Sequence, residues 1–571
     1  MDTKRLILAI VLSFAVLFLY QLVFVKKAPE PQGPAAGPGP LGAPAAAAVE
    51  TPAQPPGTGG APPTAVPQAA GEKAPAVSPA SSAAVSALAE TKVTVETSLY
   101  RAVWTNKGAV LESYRLRSHK DERKEDFEVV PVNQGQAAVL PFALLEEADP
   151  SKASLEGLRV SPANLALYRV EGSNLHVKDG QSAELKFVYS DGQGLEVEKA
   201  FVFHGGRYDF EARLSLRRNG QAVEPKVLWG PGIGNPTAAE QAKRFGAGGG
   251  VSVLSGTNLY RVEERKYKPE TSAFSYLSWA AYDDNYFTAL FVPAAGAGAA
   301  AYLRLPGQEN LAFFYLAVSN PGRVFLGPKE MEALSAFGYE SKKIVRFGMF
   351  GFITEILYAS IKFIHRAIPN WGFAIIVLTF IIKIIFFPLT YSSTKSMSKM
   401  AGLQPKIKAL RAKYKKSKTD IQQRRQMNEE MMKLYKEHGV NPAGGCLPLL
   451  IQLPVFWGFF RLLTVAIEFR QSPWMLWIKD LSAKDPLYIT PILMGITQFI
   501  SQKMTPTSAD PSQARMMLIM PAVMTLFFLN FQSGLVLYWL TSNVLQIGQQ
   551  ALINKLMKNK KSDADGKRRK G

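Results

Sequence analysis

A single lysine interrupts the otherwise nearly apolar run 374–388, and its chemistry is that of a cation without an evident counter-ion. This residue, Lys383, lies 12 positions after Trp371. On a helix that is about 18 Å. A cationic side chain near the middle of a spanning helix costs about 2.5–3.5 kcal/mol on insertion scales. Two arrangements lower that cost. The lysine can snorkel toward the interface near Pro388, with its stem in lipid and its ammonium in water. It can instead face a wet cavity and wait for an acidic partner. Apart from Glu468 at a span edge, no Asp or Glu falls inside the later apolar spans. On the second account the partner therefore comes from another chain. Thr379, four residues earlier, shares the helical face of Lys383. Gln452, Thr497, Gln498, Asn530, Thr541, Ser542, Asn543 and Gln546 also fall within apolar stretches. Interhelical hydrogen bonding alone accounts for each of these.

Other reactive residue types form no constellation. Cys446 is the sole cysteine, so no intramolecular disulfide is expected, and the five histidines have no metal-ligand spacing. Gly230-Pro231-Gly232-Ile233-Gly234 lacks a following Lys-Ser/Thr and reads as turn glycines. No nucleotide motif is present, so neither ATP nor another cofactor is expected.

The elements that must position Lys383 are membrane spans. The 571-residue chain carries a net charge of +20, and that charge is concentrated. Residues 391–439 hold 13 Lys/Arg against 4 Asp/Glu, and residues 555–571 hold 8 against 2. Basic blocks beside apolar runs mark cytoplasmic loops and point to anionic lipid or RNA as neighbours. Residues 1–27 read as an uncleaved signal-anchor, because the apolar run 6–25 is long enough to span and Lys26-Lys27 follows it directly. Residues 28–91 are mostly Pro, Ala, Gly and Ser and form a linker. Residues 92–343 alternate apolar and polar at 93–95, 185–189, 195–203 and 208–216, which predicts a strand-rich sandwich.

The core occupies 344–554. Its first segment, 344–368, places Ile353, Leu357, Ile361 and Ile364 on one face and suits an interfacial helix. Spans follow at 371–391, 446–466, 487–502, 516–531 and 533–553. The third and fourth are only about 16 residues, which implies a thinned bilayer or contact with water. Residues 391–439 read as a helical hairpin: Ile407, Leu410 and Tyr414 make one stripe, and Met427, Met431 and Leu434 another. Thr419 with Gln422 predicts a capping box for the second helix, Gly439 its end, and Pro405 a kink or start in the first. If 344–368 lies flat, both basic blocks and both termini face the cytoplasm. If it spans, 391–439 moves outside, against the positive-inside rule.

At this point the resemblance becomes specific. Asn370-Trp371-Gly372-Phe373, Phe387-Pro388-Leu389-Thr390, Leu403-Gln404-Pro405-Lys406-Ile407 and Asn441-Pro442-Ala443-Gly444-Gly445-Cys446 occur in order. Leu449-Leu450-Ile451-Gln452-Leu453-Pro454, Asp485-Pro486, Pro491-Ile492-Leu493-Met494-Gly495 and Ser533-Gly534-Leu535-Val536-Leu537-Tyr538 follow. Across 344–560 the chain resembles the YidC/Oxa insertase family, in its Gram-negative form with a large periplasmic domain. The resemblance implies a polytopic α-helical membrane protein with six spans, a five-helix insertase core, a periplasmic β-sandwich like sugar-mutarotase folds and a cytoplasmic helical hairpin. It implies an inner-membrane insertase and chaperone, not an enzyme, with a hydrophilic groove open to cytoplasm and lipid. Lys383 matches the central cation, often Arg in the family, and Thr379, Gln452 and Tyr538 match groove-lining positions. Trp539 stands where another aromatic is common. The implied partners are nascent membrane proteins, the Sec translocon, the lipid bilayer, and the ribosome through the basic hairpin and C-terminal tail.

Two other classes fit parts of the sequence. A secondary transporter or channel would use a buried lysine, but it commonly carries paired internal repeats, and none is visible. A carbohydrate-active enzyme would need clustered His and carboxylates, which are not apparent.

Overall fold

The computed structural model describes residues 83–568 apart from 122, 132–138, 149–157, 235–248, 264–272, 275, 295–299, 307–311, 415–419, 441–446 and 506–510. The expected span 6–25, most of the linker, Thr419 and Asn441 to Cys446 lie outside the described residues. The chain divides into two compact units at Gly327/Pro328.

The first unit is built of strands. Ser182–Ser190, Leu195–His204 and Asp209–Arg218 pair antiparallel within a ten-stranded sheet. These are the segments whose period-two alternation was legible. Their inward residues Phe187, Phe201, Phe203 and Phe210 are buried. Outward residues pair ionically, as Lys186 does with Glu198 at 3.0 Å. Tyr100–Thr105 and Val110–Lys120 belong to a five-stranded sheet that covers the aromatic face. Its Trp104 ring lies 4.2 Å from that of Phe201 and meets Phe210 edge-on at 6.4 Å. A six-stranded sheet completes the unit.

The second unit is helical. Its first helix, α1 (Met331–Phe337), falls within the stretch 328–343 that sequence alone assigns to the strand-rich domain. The reason is packing: Met331 joins the helical core, and Glu332 accepts from Lys362 Nζ at 2.5 Å. Helix α2 (Gly351–Ala367) turns through 120° into α3 (Trp371–Ile385). The expected face of α2 is inward: Leu357 and Ile361 are buried, with Ile353 and Ile364 packed beside them. Its other face carries exposed Phe352, Ile356 and Phe363. Asn370 caps α3 by accepting from the amide of Phe373 at 3.1 Å.

The expected span 371–391 is not one helix. It breaks at Phe386, after which α4 (Phe387–Gly402) begins. Pro388 is the cause. It has no N–H to give Ile384, so the Ile384 carbonyl accepts from Phe386 instead, and Pro388 takes the first turn of α4. The segment 391–439 is accordingly more than a two-helix hairpin. Helix α4 runs into α5 (Gln404–Lys413), which Pro405 starts, and α6 (Ile421–Glu437) returns against it. Asp420 caps α6, accepting from Gln422 and Gln423 amides at 2.8 and 3.3 Å. Gly439 ends it at φ +59°, as only a residue without Cβ does cheaply. Met400, Leu403, Ile407 and Val440 make a small apolar centre with Met431 and Leu434, and Lys413 bridges Glu430 at 2.8 Å.

Helices α7 (Leu447–Val465), α8 (Ile489–Met504), α9 (Pro511–Phe528) and α10 (Ser533–Arg568) complete the unit. The core joins Ile375 and Leu378 of α3, Phe459, Leu462 and Leu463 of α7, and Leu535 and Tyr538 of α10. A Cβ at Gly495 would lie 2.0 Å from Thr525 Oγ1, so this glycine is what lets α8 and α9 touch. Among the described residues no single helix is long and apolar enough to cross a membrane. Helix α3, with 15 residues, rises only about 22 Å.

Asp485 fixes the entry to α8. It is 1% exposed and accepts from Trp477 Nε1, the Leu487 and Thr490 amides, and Thr490 Oγ1 at 2.6–3.1 Å. Burial alone raises its pKa, but the bonds from Thr490, Leu487 and Trp477 outweigh it and hold the carboxyl below its ordinary value. Its contribution is therefore present above the ordinary carboxylate range and lost as pH falls through the lowered value. Asp485→Ala should cost about 2 kcal/mol or more, read as a lower unfolding midpoint of the detergent-solubilised protein at neutral pH. An unchanged midpoint would remove Asp485 as the anchor of α8.

Candidate functional site

The break at Phe386 places Lys383 in the last turn of α3 rather than midway along a continuous helix. There the partial negative charge of the free carbonyls favours a cation by about 0.3–1 kcal/mol. The side chain is half-buried. Its Nζ donates to Gln546 Oε1 at 3.1 Å, across to α10. Gln549 Nε2 returns a bond to the Lys383 carbonyl at 3.0 Å. Among the described residues no carboxylate pairs with this ammonium.

Lys383 faces a cavity of about 30 Å³ between α3, α4, α7 and α10. At about 10–15 Å³ per water, that holds roughly two. Thr379 lines it from α3, Gln452 from α7, and Tyr538, Ser542 and Gln546 from α10. The polar groups are tied to one another. Gln452 Nε2 donates to Ser542 Oγ at 3.0 Å. The Thr379 hydroxyl donates to the Ile375 carbonyl one turn back at 2.7 Å, so toward the cavity it can only accept. Tyr538 is fully buried, its ring stacked on Phe459 at 4.3 Å.

Four of the five residues singled out from the sequence thus meet in one cavity. Trp539 does not. One residue further on, about 100° around the helix, it points to α8, where its Nε1 donates to Gln498 at 3.1 Å. Its ring meets Phe456 and Phe528. Asn543 follows it, donating to the Met494 carbonyl at 3.2 Å. Ser542 and Gln546 were visible in the sequence only as polar residues at depth. Their four-residue spacing from Tyr538 was the signal that could have placed them.

Among its described residues the strand-rich unit gathers no comparable set. Its buried cation, Lys199, is saturated by the carbonyls of Gly108, Ala109 and Phe142 at 2.7–3.1 Å, and burial pushes its pKa down to about 7. Arg261 and Asp283 close on each other at 2.5 Å. No group of three or more His, Cys, Asp or Glu suited to a metal occurs among the described residues.

The comparisons bear on both units. A family described as 60Kd inner membrane protein matches residues 363–561, and one described as YidC periplasmic domain matches 92–360. These define an inner-membrane protein with a periplasmic domain built mostly of strands. A membrane protein insertase YidC of Syntrophus aciditrophicus (strain SB) is 36% identical over 97% of this chain and 99% of its own. Another, of Geobacter sp. (strain M21), is 38% identical over 81% of this chain and 85% of its own. A crystal structure of an active YidC insertase is 21% identical, covering 81% of this chain and 93% of that one, with a TM-score of 0.34. The chain belongs to the YidC family of membrane protein insertases.

Tyr538 holds α10 against α7 besides lining the cavity. Tyr538→Ala should cost about 3–5 kcal/mol through the void it leaves, whereas Tyr538→Phe keeps the stack and should cost far less. Thermal unfolding in detergent separates them, and equal midpoints for both variants would contradict the packing role.

Proposed function

We propose that this membrane protein insertase works through the cavity at Lys383, which widens into a hydrated groove for the polar tail of a nascent chain. The observation that carries the proposal is that Lys383 meets the cavity with the neutral amide of Gln546 as its partner. An unneutralised ammonium in such surroundings attracts a carboxylate strongly. The resting cavity, at about 30 Å³, is too small for a peptide segment, so entry requires the helices around it to part. While the tail occupies the groove, the substrate's apolar helix enters lipid along the bundle, driven by burial at about 25 cal/mol per Å². No nucleotide is consumed.

The membrane arrangement belongs to the same proposal. Six spans are formed by 6–25, α3 with the start of α4, α7, α8, α9 and the first part of α10, five of them making the core. Exposed Phe352, Ile356 and Phe363 support α2 lying flat, with that face in the outer interface. The short helices suit a locally thinned bilayer. Both termini, the hairpin of α5 and α6, and the basic end of α10 then face the cytoplasm, where the ribosome and anionic lipid meet them. The protein acts alone or beside the Sec translocon. Its organisation is 1–27 anchor, 28–91 linker, periplasmic strands from 92, the insertase core to 554 and a basic tail.

The test is insertion of paired substrates differing only in tail charge, in cells holding each variant at matched levels. Lys383→Arg should be tolerated, since charge survives. Lys383→Ala should lower insertion of the acidic-tailed substrate by roughly tenfold, relative to the neutral one, for the loss of one charge pair. Snorkelling predicts that Ala is harmless, and equal insertion of the acidic-tailed substrate by wild type and Lys383→Ala would falsify the groove role.

A further inference from the structure

Lys383 is held by two glutamines three residues apart on one face of α10. Gln546 Oε1 accepts from its Nζ at 3.1 Å, and Gln549 Nε2 donates to its backbone carbonyl at 3.0 Å. The second bond satisfies one of the carbonyls left over at the end of α3 and fixes α3 against α10 at this level. Gln549 Oε1 itself is buried without a partner among the described residues, so the bond of this side chain is the one to α3. Gln546 differs, because it lines the cavity.

We propose that Gln546 is the specificity-setting partner of Lys383: a neutral acceptor that keeps the ammonium in the cavity and yields it to a substrate carboxylate. The inference rests on the groove reading of Lys383 and goes beyond it by naming the residue that preserves the charge. The chemistry of the amide is what suits it. A lone ammonium in an apolar bundle is drawn toward the interface, and an acceptor at 3.1 Å opposes that. A carboxylate at the same place would hold the lysine as well but would neutralise it, leaving no field to draw an acidic tail. An amide oxygen orients the ammonium and leaves its net charge intact. Because hydrogen bonds between two ionised groups are stronger than those to a neutral amide, an Asp or Glu that reaches the opened cavity displaces Gln546 from the ammonium. The same arrangement explains how the cavity holds a cation that no carboxylate among the described residues neutralises. Gln546 is thus a positioning residue, acting on the substrate through Lys383.

The experiment compares Gln546→Glu, Gln546→Met and Lys383→Ala in the full-length protein, using paired substrates whose translocated tails differ only by Asp-to-Asn changes. The readout is the ratio of acidic-tailed to neutral-tailed insertion at matched protein levels. Gln546→Glu should lower that ratio by roughly tenfold, as expected when a fixed ion pair replaces a free charge. Gln546→Met, which keeps length and removes the amide oxygen, should lower it less, because the ammonium stays charged but is no longer held. A folding defect is read separately, as a loss of neutral-tailed insertion, and the ratio is compared for variants that keep that insertion. A wild-type ratio in Gln546→Glu, while Lys383→Ala lowers it, would overturn the role of Gln546 and leave the groove reading intact. A wild-type ratio in Lys383→Ala would overturn both.

Discussion

Placing one ammonium inside an apolar helical bundle is the constraint around which the helical unit is arranged. Removing a cation from water costs several kcal/mol unless something replaces its hydration. Here the replacement is partial and comes from several sources: the carbonyl end of α3, the amide of Gln546, and a cavity with room for roughly two waters. Each depends on another feature. The helix end exists because Pro388 breaks the chain at Phe386. The amide is in reach because Gln549 holds α10 to the Lys383 carbonyl. The polar wall of the cavity keeps its geometry because Gln452 and Ser542 bond to each other and the Thr379 hydroxyl is bound to its own helix.

The remaining helices keep that arrangement in register. Tyr538 on Phe459 joins α10 to α7 at the cavity wall. On the other side of α10, Trp539 and Asn543 bond to Gln498 and the Met494 carbonyl, so α8 is tied at the same level. Asp485 sets where α8 begins. One helix thus carries two polar seams, separated by about 100°. One seam faces the cavity, and the other is satisfied between α10 and α8.

This division marks what was legible in the sequence. Lys383 with Thr379 four residues earlier shares a face on any helix, so that pair was readable. Gln452 and Tyr538 followed from motif resemblance, and the geometry brings them to the same cavity. Trp539 was placed with them by the same resemblance, as a position where an aromatic is common, whereas adjacent residues on a helix point apart. The series 538, 542, 546 has the period that selects one face, and it would have excluded Trp539 and admitted Gln546. Strands at 182–190, 195–204 and 209–218 were visible because alternation is local. The break at Phe386 was obscured because hydropathy continues across it, and only the missing amide of Pro388 marks it. Which unit claims 328–343 depends on contacts such as Glu332 with Lys362, which no local pattern reveals.

The proposed groove requires that a substrate's polar tail occupy the Lys383 cavity during insertion. Its most direct test is site-specific photo-crosslinking during synthesis of a small membrane protein, from probes at Thr379, Ser542 and Trp539. The account predicts tail crosslinks from Thr379 and Ser542, which line the cavity, and not from Trp539, which faces α8. Tail crosslinks from Trp539 alone, or equally from all three, would contradict it.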